Sequence, residues 1–105
     1  MYSFGVVLFE LVSGKAPVVE DGDQEFVHVT VWAAKMTREG RMDEIIDEHL
    51  RSSSDYNEIL KDEIVKIIEI ATFCTRSAPN LRPSMNVVLD MFNHLRSVYL
   101  LLISN

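Results

Sequence analysis

Apolar positions recur along this chain at helical spacing, separated by short polar stops. Residues 2–12 read Tyr-Ser-Phe-Gly-Val-Val-Leu-Phe-Glu-Leu-Val, with apolar side chains at Tyr2, Phe4, Val6, Val7, Leu8, Phe9, Leu11 and Val12. That is too many for one stripe, so a helix here must be covered on several sides. The run equally fits a buried strand, given Val6-Val7 and the aromatics around them. Ser13-Gly14-Lys15 then supplies a helix stop, with Gly14 suited to a left-handed C-terminal position, and Pro17 blocks re-entry. The pattern predicts a second helix over Glu25–Glu39, weakened by the β-branched Val27, Val29, Thr30 and Val31 and ended by Gly40. It predicts a short third helix over Met42–Leu50.

The clearest periodicity lies in Glu58–Thr75. Ile59, Leu60, Ile64, Ile67, Ile68, Ala71 and Cys74 follow a 3.6-residue period over more than four turns. Glu58, Asp62 and Glu63 sit early, where the helix dipole favours acids, and Arg76 follows the last turn. The segment Ser52–Asp55 reads as a linker and N-cap region. Ser77–Pro83 is a turn with two prolines, after which Ser84 caps a final helix from Met85 to about Leu95. Residues 97–103 are apolar with little polar relief and fit either a helix extension or an edge strand. The fold class expected is all-α.

Composition narrows the classes. With 105 residues, 48% hydrophobic and 25% charged, the chain has globular proportions and room for one domain. One cysteine excludes an internal disulfide framework and a Cys-rich zinc site. No apolar run approaches the 18–20 residues or so needed to span a bilayer, and Met1 is followed by no basic signal-peptide region. The net charge of −6 argues against a nucleic-acid surface. Between Glu20 and Glu69 there are 14 acids and 6 bases. The cluster Glu20-Asp21-Gly22-Asp23-Gln24-Glu25 fails the EF-hand spacing, because position twelve counted from Asp21 is Trp32. It reads as a solvated loop.

Single-residue chemistry is thin. His28, His49 and His94 share no ligand spacing and read as surface or partly buried imidazoles. Cys74, on the apolar face of the long helix, reads as a buried inert thiol. Ser52, Ser53 and Ser54 read first as a cap and linker rather than a modification site. With no glycine-rich phosphate loop and no Ser/His/Asp set, the residues alone define no active site.

Two stretches carry a resemblance. Tyr2–Lys15 resembles the central helix of the protein kinase catalytic domain, most of all in plant receptor-like kinases, where it commonly reads Y-S-F-G-V-V-L-x-E-L. About seventy residues on, Cys74-Thr75 with Pro79-Asn80-Leu81-Arg82-Pro83-Ser84-Met85 resembles that family's C-T-x-x-x-P-x-x-R-P-S/T-M. Trp32-Ala33, and Ile46-Asp47 with Leu50, fall where the family carries W-A and D-P/E-x-L. The resemblance covers residues 1–96 as a partial, N-terminally truncated kinase domain; residues 97–105 form an apolar tail without a counterpart.

The resemblance implies a helical fragment of the kinase large lobe. It implies Arg82, Trp32 and Gly5 as structural motif residues, and no catalytic, cofactor-binding or metal residue in this chain. ATP and Mg belong to the parent kinase, whose glycine-rich loop, strand lysine, catalytic-loop Asp and Asn, D-F-G and A-P-E all lie upstream of the matched stretch. The family's Asp before Val-Tyr-Ser-Phe-Gly is also missing, with Met1 at the Val position. The expected function is that of a parent transferring phosphate from ATP to Ser/Thr. The alternative is a short non-catalytic product acting as a protein-interaction or dominant-negative module. The implied partner is the remainder of the kinase domain, or another protein, through the exposed central helix, with non-specific self-association as a further expectation. The implied location is the cytoplasmic side, with a parent that is membrane-anchored or cytoplasmic. The family's Arg at the Arg82 position pairs with the A-P-E Glu, so Arg82 is expected to find another carboxylate or reach solvent. Some of Tyr2, Phe4, Leu8 and Phe9 are expected to face water or a second copy.

Overall fold

The computed structural model describes residues 1–20, 25–93 and 95. The first element, α1 (Tyr2–Ser13), is helical rather than extended. It ends as its sequence implies: Gly14 takes φ 69°, and its N–H donates to the Glu10 carbonyl at 2.8 Å. The left-handed backbone favours glycine there, and a Cβ on Gly14 would also press on the Asp47 carboxylate, which would have to shift.

The expected helix over Glu25–Glu39 starts later. Val18–Glu20 (β1) and Phe26–His28 (β2) pair antiparallel, with Val19 opposite Val27. Only then does α2 (Val29–Arg38) begin. The β-branched valines take the extended backbone they favour, Val19 is buried, and the Val29 N–H donates to the Pro17 carbonyl at 2.6 Å. The side chain of His28 caps α2 by accepting from Thr30 N. The all-α expectation thus gains a two-stranded ribbon at the entry to α2. The Asp21–Gln24 part of the acidic cluster lies outside the described residues.

The expected Met42–Leu50 helix is split into a 3₁₀ turn, Met42–Ile45, and the four-residue α3, Glu48–Arg51. Ile45 and Ile46 are both buried, at 0% and 1% exposure. Neighbours on a helix point about 100° apart, so an extended Ile46 lets both reach the core. Asp47 then restarts the helix: its N–H donates to the Val12 carbonyl at 2.8 Å, and its Oδ1 accepts from His49 N at 3.1 Å.

The long helix α4 spans Glu58–Cys74. Its cap is Asn57, whose Oδ1 accepts from Leu60 N at 2.9 Å, rather than the Ser52–Asp55 stretch. Ile59, assigned to the apolar stripe, is 67% exposed, while Ile70 is buried. The difference follows from α4 packing on more than one side: α1 lies along one flank and α5 along another. Replacing Asn57 with Ala should lower stability by about 0.5–2 kcal/mol, the usual range for an N-cap acceptor, read from a urea melt. Asn57→Asp should restore most of it, and an unchanged midpoint for Asn57→Ala would contradict the cap.

A 3₁₀ turn at Pro79–Leu81 leads to α5 (Met85–Phe92), capped by Ser84 as expected, with Val87 N donating to its Oγ at 3.3 Å. The helix stops three residues short of Leu95. Leu95 is nevertheless buried, because its N–H donates back to the Phe92 carbonyl at 2.9 Å and the chain turns there. The apolar tail expectation for residues 97–105 and the reading of His94 lie outside the described residues. One core joins α1, α2, α4 and α5, with Phe9, Val29, Ile45, Ile46, Ile68, Cys74 and Val88 nearly or fully inaccessible. Among the described residues no helix is long and apolar enough to cross a membrane.

Candidate functional site

The residues singled out from the sequence gather around α1, but not at one point. Gly5 lies where α1 crosses α4. A Cβ built on it would meet Thr75 Cγ2 at 2.6 Å, Cys74 Cβ at 2.8 Å and the Ala71 carbonyl oxygen at 3.0 Å. The two helices approach this closely only because residue 5 has no side chain.

Arg82 sits near the start of α1. It is half-buried, its guanidinium lies 5.0 Å from the Tyr2 ring centroid, and its Nε donates to the Arg76 carbonyl at 2.7 Å. The expected carboxylate is replaced by an aromatic face and a carbonyl oxygen, both of which favour a guanidinium. Arg76 stacks in turn on Phe73 at 4.5 Å. The His28 ring is 6.3 Å from that of Tyr2, and Tyr2 Oη is 3.4 Å from Thr30 Oγ1.

Trp32 lies at the far end. It is 8% exposed on α2, with Lys15 Nζ 5.3 Å above its ring. Lys15 follows α1 and Tyr2 starts it, and twelve helical residues span about 18 Å. Arg82 thus stacks on Tyr2, which begins α1, and Trp32 lies under Lys15, which follows it.

Of Tyr2, Phe4, Leu8 and Phe9, some of which were expected to face water or a second copy, Leu8 and Phe9 are buried at 6% and 2%. The helix α4 packs along α1, so the chain does contain a partner for this helix. Phe4 meets Phe92 edge-on at 6.2 Å, and Tyr2 is half-covered. The exposed apolar positions on α1 are instead Val7, at 47%, and Leu11, at 65%. They are four residues apart and so share one face.

The chemistry of these groups is that of binding and bracing. His28 Nδ1 lies 2.8 Å from Thr30 Oγ1, a distance that would suit a base and a hydroxyl. That nitrogen is already the cap acceptor for Thr30 N, so the pair serves the helix end. Among the described residues no group of three or more His, Cys, Asp or Glu could hold a metal ion. His49 is exposed and His28 partly buried. The charges of the acidic middle region stay at the surface: Arg41 bonds Glu44 at 2.6 Å and Glu39 at 2.9 Å, and holds the Glu44 carboxyl below its ordinary value. Lys61 lies 3.4 Å from Asp43.

Cys74 is fully buried and burial pushes its thiol pKa up, which leaves little thiolate to react. Ellman's reagent should therefore label the native chain far more slowly than the urea-unfolded chain, in step with unfolding. Rapid labelling of the folded chain would contradict the burial. Sequence reasoning missed Tyr2, Lys15 and Asp47 as bracing residues. No local signal marks a cation over a ring, because the pairs join residues 17 to 80 positions apart.

No family model matches the chain. It is 37% identical over 91 residues to a probable LRR receptor-like serine/threonine-protein kinase of Arabidopsis thaliana, a match covering 87% of this chain and 8% of that protein. The receptor-like protein kinase HAIKU2 of the same plant is 35% identical over 101 residues, covering 94% of this chain and 10% of that protein. A probable inactive receptor kinase, also of Arabidopsis thaliana, is 34% identical over 96 residues, covering 91% and 14%. Among solved structures, the pseudokinase domain of BIR2, an immune regulator of the RLK/Pelle family, superposes with a TM-score of 0.71 at 28% identity, over 93% of this chain and 28% of that one. The chain thus spans a small fraction, 8–14%, of the length of these curated relatives. The homologues of this chain are plant receptor-like kinases, and its fold is that of a helical fragment of the kinase large lobe.

Proposed function

We propose that this chain works as the C-terminal large-lobe section of a longer receptor-like kinase, which transfers phosphate from ATP to Ser or Thr of signalling proteins. The observation supporting this is the match to receptor-like kinases over about nine-tenths of the chain but only 8–14% of their length. In this reading the chain is a helical base. Gly5, Arg82 and Trp32 hold α1 in place, and α1 offers the Val7 and Leu11 face to the rest of the domain. ATP and Mg are held elsewhere in the parent: the described side chains provide bracing hydrogen bonds and stacked cations, and among them no carboxylate cluster could hold a metal. No step of phosphoryl transfer is assigned to any of them. The parent's kinase domain works on the cytoplasmic side.

Two outcomes follow. Purified 105-residue chain should incorporate no phosphate into a generic Ser/Thr substrate, and detectable transfer would overturn the non-catalytic reading. An antibody against residues 19–26 should detect a band of full kinase size or larger in native tissue.

A second reading, a short product acting by binding, draws on two observations. Val7 and Leu11 are exposed on α1, and the similar proteins include an inactive receptor kinase and a pseudokinase domain. A band near 12 kDa alone would favour it.

A further inference from the structure

Lys66, Glu69, Ile70 and Phe73 stand at i, i+3, i+4 and i+7 on α4 and so share one side of that helix. With Met42, Arg76, Met91 and Leu95 they border a cavity of about 700 Å³. That falls within the usual range of a small-molecule pocket, about 300–1,000 Å³. The lining is graded. Ile70 and Leu95 are buried, Met42, Phe73 and Met91 are half-buried, and Lys66, Glu69 and Arg76 are exposed at the edge. No described residue of α1 lines it, so a ligand here does not depend on the reading of α1 as the kinase-facing helix.

The edge carries two cations and one carboxylate, on a chain whose net charge is −6. The ion pairs of the described residues join Arg41 to Glu39 and Glu44, and Lys61 to Asp43. Among those residues, then, no carboxylate is within ion-pair distance of Lys66 or Arg76. The Arg76 guanidinium lies 4.5 Å from the Phe73 ring centroid. Stacking uses the face of a guanidinium and leaves its in-plane N–H groups to grip a carboxylate. Below the edge, the Phe73 ring and the thioethers of Met42 and Met91 suit an aromatic guest, through ring packing and sulfur–ring contacts. We propose that this cavity binds a small planar aromatic acid with a single carboxylate. Its ring sits among Met42, Phe73 and Met91, and its carboxylate meets Arg76 and Lys66. Glu69 sets the limit: it repels a second carboxylate, so a monoacid is preferred to a diacid on the same ring.

The test is a titration of the full chain, labelled with ¹³C-methyl methionine, with 2-naphthoate. Met42 and Met91 line the cavity, whereas Met36 is buried in the core and does not line it. The Met42 and Met91 signals should move saturably while Met36 stays in place. 2-Naphthamide, the same shape without the charge, should bind about tenfold more weakly, as expected for loss of a charge-assisted hydrogen bond, and naphthalene-2,6-dicarboxylate should also bind more weakly than the monoacid. Arg76→Gln and Lys66→Gln should each bring the acid's affinity towards that of the amide and leave the amide's unchanged. Glu69→Gln should tighten the acid. All three positions are exposed, so these variants leave the core intact. No saturable movement of Met42 and Met91 overturns the proposal, as does movement of Met36 alongside them, which marks general association. Equal binding of acid and amide, or full acid affinity in both cation variants, overturns it as well.

Discussion

Phe9→Ala should cost about 3–5 kcal/mol, the range for truncating a buried phenylalanine. Phe9 is 2% exposed on the inner side of α1. It also forms part of the wall of a second cavity, of about 640 Å³, with Thr72 and Thr75 of the α4 end opposite. Removing the ring enlarges an existing space, and the surrounding helices are held by their own packing, so collapse into the gap is limited. A domain of this size has a total stability of about 5–15 kcal/mol, so the loss is a large share of it. With a urea m-value of about 1–3 kcal/mol per M, the midpoint should fall by about 1 M or more. Phe9→Leu should lose less. A midpoint unchanged in Phe9→Ala would mean that the ring is not held between α1 and α4.

The second large effect is expected at Gly5. In an exposed helix interior, Gly→Ala gains about 1 kcal/mol from reduced backbone entropy. Here the added methyl would meet Cys74 Cβ at 2.8 Å and the Ala71 carbonyl at 3.0 Å. Both belong to the α4 backbone or its first side-chain atom, so neither can rotate away. Overpacking typically costs about 1–3 kcal/mol, and Gly5→Ala should therefore be destabilising despite its helix propensity. Gly5→Val should be worse, because its branches must force α1 and α4 apart. Thr75 supplies the nearest clash, through Cγ2 at 2.6 Å, and its hydroxyl separately donates to the Ala71 carbonyl at 2.9 Å. Thr75→Ser keeps that bond and removes the methyl, so it should recover part of the loss in a double-mutant cycle. A more stable Gly5→Ala would refute the close crossing.

These two residues also show why the central helix is apolar nearly all round. Its inner side buries Leu8, Phe9 and Val12 against the chain's own α4, its middle needs a glycine to do so, and its outer side leaves Val7 and Leu11 exposed. The pattern alone suggested that the lost partner was the main cover. The structure divides the load: α4 takes the inner face, and only the outer pair is left for another surface. Arg82 follows the same logic. A guanidinium without its expected carboxylate is accommodated by stacking, since Tyr2 and the Arg76 carbonyl lie within reach of its planar fork.

Sequence by itself determined the main helices, because each depends on neighbours a few residues away. The 3.6-residue period of residues 58–75, the left-handed stop at Gly14 and the cap at Ser84 are local properties, and each stands in the structure. The kinase motifs were legible for a related reason, being runs of fixed identity and order. Tertiary structure alone decided what depends on distant partners. The Val18–Glu20 and Phe26–His28 ribbon forms because two segments carrying β-branched valines pair antiparallel, overriding a helical reading of the second. Ile45 and Ile46 break a helix because both must reach one core. Ile59 faces water while Ile70 is buried, since the buried side of α4 is set by where α1 and α5 lie. The cations over Tyr2 and Trp32 leave no periodic trace in the sequence, because each joins residues that are close in space and distant along the chain.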